Sequence, residues 1–284
     1  MTPLLLCIWI AGGASALVWI LSLVTNEHSW VDRLWSILPI IYVWVFAAST
    51  GLSDPRLVVM AILATLWGVR LTYNFARKGG YARGGEDYRW AVLRGRMKPW
   101  QFQVFNLLFI TLYQNAIILL IALPAFTAWE HQTPIGPLDI VLFVLFLGAL
   151  VGETVADQQQ WTFHAWKRAA LRQAQEPGGD GQAPQPRFLQ SGLFAWSRHP
   201  NFFFEQAQWW IFFFIGASAA GSVVQWTVLG AFLLTLLFIG STVFTESITR
   251  SRYPEYAEYQ RRVSPLVPWP SRRPEQSASP SPAS

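Results

Sequence analysis

Long apolar runs separated by shorter polar stretches dominate this chain. Runs near the roughly 20 residues needed to cross a bilayer core fall at 3–25, 30–50, 56–76, 101–128, 137–158, 201–220 and 224–248. The connections at 77–100 and 164–200 are long, and those at 129–136 and 221–223 are short. This pattern predicts an all-α integral membrane protein with seven transmembrane helices. Composition agrees. Hydrophobic residues make up 52% of the 284 and charged residues only 13%, against about 25% charged in an average soluble domain. Many of the 16 tryptophans sit beside apolar runs, as interface anchors do. The first run has no basic segment before it and is long enough to span, so it reads as a retained helix and not a signal peptide.

The basic residues give the orientation. Segment 77–100 holds seven Lys/Arg, segment 164–200 five and the C-terminal tail six, while 129–136 and 221–223 hold none. The positive-inside rule then puts the N-terminus outside and both long loops and the C-terminus in the cytoplasm. The net charge of +5 follows from that bias and does not argue for a nucleic-acid partner. Residues 1–268 read as a single membrane domain. The Gly/Pro/Gln stretch 176–186 reads as unstructured, and 269–284 as a disordered Ser/Pro tail. A lone cysteine, Cys7, builds no disulfide framework or thiolate metal site, and no metal is expected.

Ionisable groups inside a membrane usually serve a ligand, an ion path or each other, so their clustering matters. The segment Ser197-Arg198-His199-Pro200-Asn201-Phe202-Phe203-Phe204-Glu205 places a cation, an imidazole, an amide and a carboxylate at the mouth of the sixth run. Asn201, Glu205 and Gln208 share one helical face. The fifth run carries Glu153, Asp157 and Gln160 in a stripe, flanked by Gln158 and Trp161. The seventh carries Glu246, followed by Arg250, Arg252, Tyr253, Tyr256 and Tyr259. Arg70 and Asn74 lie in the third run, and Gln114 and Asn115 in the fourth. Three carboxylates at similar depth repel unless arginines match them or a donor-rich ligand binds them, and a nucleotide offers both kinds of partner. Blander readings stand beside this one. Glu153/Asp157 also fit a solvated helix end, Arg198-His199 an ordinary basic interface, and the three tyrosines a packing stripe. The glycine-rich loop 78–89 is not a GxGxxG turn, so no dinucleotide-binding fold follows from it.

Six motifs, in order, resemble the steroid 5α-reductase family in its broad sense, and most of all its bacterial branch. They are Trp67-Gly68-Val69-Arg70-Leu71; Gly85-Glu86-Asp87-Tyr88-Arg89; Gln114 ahead of Leu123-Pro124; Glu153-Thr154-Val155-Ala156-Asp157-Gln158; Gly192-Leu193-Phe194 leading to Arg198-His199-Pro200-Asn201 and Glu205; and Arg252-Tyr253-Pro254-Glu255-Tyr256 with Val267-Pro268.

The resemblance implies a seven-helix enzyme in the inner membrane of a bacterium. It would use NADPH from the cytoplasmic side to saturate the C=C bond of an enone lipid, typically a 3-oxo-Δ4 steroid. Helices one to four would face the lipid substrate and helices five to seven the cofactor. Family cofactor positions carry over to Asp157, Asn201 and Glu205, with Arg198 and Tyr256 as further partners. Arg77, Arg83 and Arg89 suit phosphate oxygens, since guanidinium matches them bidentately. Asp87, Glu153, Trp161, His199, Phe202, Glu246, Arg250 and Tyr253 complete the expected cofactor set. Asp32 and Arg70 are the expected catalytic pair; Asp32 is either the acid, if protonated, or a structural partner of Arg33 or Arg70. Phe202 and Phe204 stand where the family often has tyrosine and glycine, which predicts a nicotinamide pocket of different shape. The Arg-His-Pro-Asn…Glu element and the late tyrosines also resemble S-adenosylmethionine-dependent isoprenylcysteine carboxyl methyltransferases, the alternative reading. The oligomeric state stays open.

Overall fold

The computed structural model describes residues 1–176, 182 and 184–271. Most of the stretch 176–186 (177–181 and 183) and the tail from 272 onward lie outside the described residues. Among the described residues the chain is helical, with no strand; Ser197 and Ser264 form a lone parallel bridge.

Proline marks the helix starts. α1 (Pro3–Thr25), α4 (Pro55–Arg77), α6 (Pro99–Phe105), α8 (Pro124–His131), α9 (Pro137–Gln175) and α10 (Pro200–Ala220) each open on one, where the missing N–H has no intrahelical partner to lose. Thr2 and Asp54 cap α1 and α4 by accepting from the N–H of Leu5 and Leu57. α2 (Trp30–Trp35) and α3 (Leu38–Ser49) together form the second run. They break around Ile37 because Pro39 donates no helical hydrogen bond. The fourth run is α6, a π-helical segment Asn106–Tyr113, α7 (Gln114–Ala122) and α8. α11 (Val228–Arg252) is the last long helix; α5 (Tyr88–Arg96) and α12 (Tyr256–Arg262) are short amphipathic additions that the hydropathy pattern does not show.

Among the described residues, six segments are long and apolar enough to cross a membrane: Pro3–Thr25, Trp30–Ser49, Pro55–Arg77, Pro99–His131, Pro137–Gln175 and Val228–Arg252. α10 is helical where a span was expected but is not among those six; Asn201, Glu205, Gln206 and Gln208 place polar groups along its first half. α9 runs well past the expected end at 158. Its 39 residues rise about 58 Å at 1.5 Å each, nearly twice the roughly 30 Å hydrocarbon core, and the excess is the polar stretch from Asp157 on.

The chain divides into two compact units. The first comprises Met1–Val151 and Glu205–Phe238 and holds the main apolar core, including Tyr42, Phe46, Met60, Trp67, Ile117, Phe146 and Trp209. α3 and α4 run antiparallel: Ser36 pairs with Thr72 at 2.7 Å, and Trp44 with Thr65 at 2.9 Å. At Gly68, α4 comes close to the junction between α2 and α3: a Cβ there would lie 2.4 Å from the Ser36 carbonyl oxygen. Arg56 and Asp139, 2% and 1% exposed, form a buried fork at 3.1 and 2.7 Å. The remaining Arg56 donors reach Thr133 and the Pro134 carbonyl, so the whole guanidinium is satisfied.

The second unit comprises Gly152–Phe204 and Ile239–Ser284. Its core is Tyr256, Tyr259 and Val263, with Phe188 and Tyr253 packed against them. The Arg198 N–H donates to the Ser264 carbonyl at 2.8 Å and the Ser197 hydroxyl to the Leu266 carbonyl at 2.6 Å, fixing the chain after α12 beside the start of α10.

Candidate functional site

In the second unit a buried carboxylate gathers four partners. Glu246, 7% exposed on α11, accepts two hydrogen bonds from the Arg198 guanidinium, at 2.6 and 3.0 Å. It also receives His199 Nε2 at 3.0 Å, Gln260 Nε2 at 2.8 Å and the Tyr256 hydroxyl at 3.2 Å. Arg198 spends its remaining nitrogen on the carbonyls of Gln260 and Val263. Burial pushes the Tyr256 and Tyr259 hydroxyls well above the ordinary phenol range, so at neutral pH both are donors. The Tyr259 hydroxyl donates to the Phe194 carbonyl.

The His199 ring stacks on Phe202, centroids 5.3 Å apart and 20° between planes. Phe204, expected with Phe202 to give the nicotinamide pocket a different shape, lies against Gly152: a Cβ there would meet its ring at 2.5 Å. The missing side chain at 152 makes room for the extra ring at 204. Glu153 and Asp157, 2% and 3% exposed, are buried and not a solvated helix end. Arg168 lies over Trp161 at 5.3 Å, and Lys167 reaches the Tyr253 hydroxyl at 3.2 Å. Arg250 is one helical turn beyond Glu246 but exposed, on the rim of an open groove.

In the first unit Arg70 meets Glu205, N to O 3.8 Å, both side chains about nine-tenths buried. One turn away, Trp67 and Trp209 pack edge to face, centroids 4.8 Å apart and 80° between planes. Residue numbers rise along α4 as they fall along α10 across these two contacts, so the helices run antiparallel. Both indole N–H groups are buried with no acceptor among the described residues, which is unusual for tryptophan.

The expected catalytic partners find other contacts. Asp32 accepts from the Trp90 indole at 3.4 Å. Arg33 is not its structural partner: it donates to Glu27 at 2.8 Å and to the carbonyls of Gly80 and Ala82. Asp87 caps α5 and forks with Arg89, the closest pair at 2.7 Å. Arg77 donates to Asn74 at 2.9 Å and stands over Tyr73, while Arg83 is exposed. Asn201 and Phe202 are half-buried on the first turn of α10.

Sequence reasoning missed two groups. Gln260 is one, legible only as the i+4 neighbour of Tyr256. The other is a latch around His28, 1% exposed, whose backbone N–H donates to Glu86 at 2.7 Å while its Nδ1 lies 3.0 Å from the same carboxylate. Arg94 closes it on Glu86 at 2.9 Å. Together with Glu27 accepting from the Gly84 N–H at 2.9 Å, this latch ties the glycine loop to the segment between α1 and α2. Burial pushes the His28 imidazole below its ordinary value.

Residues 18–263 match the family described as a protein of unknown function, DUF1295, and the chain belongs to that family. It is similar to an uncharacterised protein of the fission yeast Schizosaccharomyces pombe, 36% identical over 267 residues that cover 88% of this chain and 75% of that protein. No solved structure matches it.

Proposed function

We propose that the protein is an NADPH-dependent reductase that saturates the C=C bond of an enone lipid, most simply a 3-oxo-Δ4 steroid. The observation that carries this reading is the α4–α10 pairing. There an Arg70–Glu205 ion pair lies one turn from two buried indole N–H groups without acceptors among the described residues. Hydride addition to the β-carbon of an enone leaves negative charge on the carbonyl oxygen. Fixed N–H donors in a dry site stabilise that charge as it develops, and Trp67 and Trp209 are such donors.

The cofactor that the family resemblance implies is a pyridine nucleotide. As the resemblance implies, Asp157, Asn201 and Glu205 would accept from ribose hydroxyls and pair with a carboxamide. Of the arginines that the resemblance assigns to phosphates, Arg83 is exposed, while Arg77 and Arg89 would have to exchange Asn74 and Asp87 for them. When bound, NADPH would supply the hydride. Glu246 acts one step back: its acceptor capacity is taken by Arg198, His199, Tyr256 and Gln260, so it orients them. On this reading α10 is the seventh span, with its polar face toward the site. The N-terminus lies outside, and the basic loops and C-terminus face the cytoplasm, in agreement with the distribution of Lys and Arg.

The test is ligand-dependent thermal stability of the purified protein in detergent. NADPH is expected to raise the melting temperature, and S-adenosylmethionine to leave it unchanged. Stabilisation by S-adenosylmethionine alone would reject the reductase and select the membrane methyltransferase.

A further inference from the structure

Leu229, Phe232, Leu236, Ile239 and Val243 of α11 are exposed by 46% to 67%. They recur every three or four positions, so they form one open apolar face of the helix. The same face continues as Ser247, Arg250 and Ser251, all exposed. Twenty residues from Val228, at 1.5 Å each, reach residue 247 after about 30 Å, the thickness of the hydrocarbon core. The change from apolar to polar side chains therefore falls where acyl chains give way to headgroups.

At that end of the helix an open groove of about 650 Å³ is lined by Val243, Glu246, Ser247, Arg250, Ser251 and Gln260, a size typical of small-molecule sites. The Glu246 charge is already matched by Arg198. Arg250 makes no hydrogen bond or ion pair among the described residues, so the groove keeps an unspent positive charge. The Ser247 and Ser251 hydroxyls donate to their own helix, at the Phe244 and Ile248 carbonyls, weak local contacts that are easily exchanged.

We propose that this groove binds one anionic glycerophospholipid. An acyl chain lies along Ile239 and Val243, and the phosphodiester meets Arg250, Ser247, Ser251 and the second amide hydrogen of Gln260. A membrane lipid is chosen over a soluble anion because the site has an apolar end and a cationic end, and one amphiphile covers both. This inference does not rest on the reductase reading.

The test is a titration of the full-length protein in phosphatidylcholine nanodiscs with phosphatidylglycerol, read by native mass spectrometry and melting temperature. Arg250→Ala should weaken phosphatidylglycerol retention about fivefold, as expected for one basic side chain at a membrane surface. Arg261→Ala, an equal change of charge outside the groove, should not. Should Arg250→Ala purify poorly, Arg250→Gln makes the same comparison. Equal losses in the Arg250 and Arg261 variants, or equal stabilisation by inorganic phosphate, would overturn the lipid site. Loss of NADPH-dependent stabilisation in Arg250→Ala with lipid retention intact would reassign the groove to the cofactor and also overturn it.

Discussion

Arg198 and Glu246, 48 residues apart in the chain, form a two-pronged ion pair at 2.6 and 3.0 Å with both side chains 9% exposed. It joins the segment entering α10 to the end of α11 and holds His199, Tyr256 and Gln260 around one carboxylate. Removing one partner of a buried pair strands the other charge in a poorly solvating interior, at a cost of about 3–5 kcal/mol. Glu246→Ala and Arg198→Ala should each lower the melting temperature of the purified protein sharply. Arg198→Lys should recover only part of the loss, since an ammonium cannot reproduce the fork. Full recovery by lysine would mean that charge alone matters here.

A second buried pair, Arg56–Asp139, differs in having every guanidinium donor satisfied. Asp139→Ala should destabilise the protein by a similar 3–5 kcal/mol and leave NADPH affinity unaltered in what remains folded. Isothermal titration after a stability screen checks both parts. A change in affinity at constant stability would give this pair a role in the site.

The indole pair is a test of chemistry. Trp67→Phe and Trp209→Phe keep an aromatic ring but remove a donor. Each should lower kcat for enone reduction by on the order of 100-fold, the lower end of the range for losing one oxyanion donor, with NADPH affinity kept. Steady-state kinetics on an enone, beside NADPH binding, separates the roles: unchanged kcat in both variants would remove these donors from the reaction.

His28 gives the fold a pH dependence. Its folded-state pKa lies below that of the unfolded chain because burial disfavours the charged ring. The unfolded state then binds more protons, so stability is present above about pH 6.5 and falls as pH drops from there toward the folded value. Melting temperatures between pH 7.5 and 5 should decline for the wild type and decline less for His28→Gln. Identical slopes would show that His28 does not carry the effect.

Much of this was legible because hydropathy acts locally. The limits of α1 and α4, and the helix over 201–220, follow from apolar runs closed by proline, asparagine or a basic turn. α9 was read too short because hydropathy detects burial in lipid, whereas a helix continues on backbone hydrogen bonds after its side chains turn polar at Asp157. The break at Pro39 and the π-helical segment leave no trace in an apolar average. For the candidate site, the Arg-His-Pro-Asn…Glu segment marks charged groups that the structure buries in ion pairs, but not their partners. Arg198 with Glu246 and Arg70 with Glu205 are long-range pairs set by helix packing, which one chain read linearly does not encode. The adjustment of Gly152 to Phe204 is of the same kind: two departures that make sense only together.

The most direct test of the central claim is to follow deuterium. Protein supplied with NADPH deuterated at the transferable nicotinamide C4 position and with progesterone or testosterone should yield the saturated 3-oxo steroid with deuterium on the former β-carbon. Nicotinamide absorbance should disappear in equal amount, and no steroid product should form from S-adenosylmethionine. Folded, NADPH-stabilised protein that leaves a panel of 3-oxo-Δ4 steroids and simpler lipid enones unreduced, or a product with no deuterium on that carbon, would contradict the account.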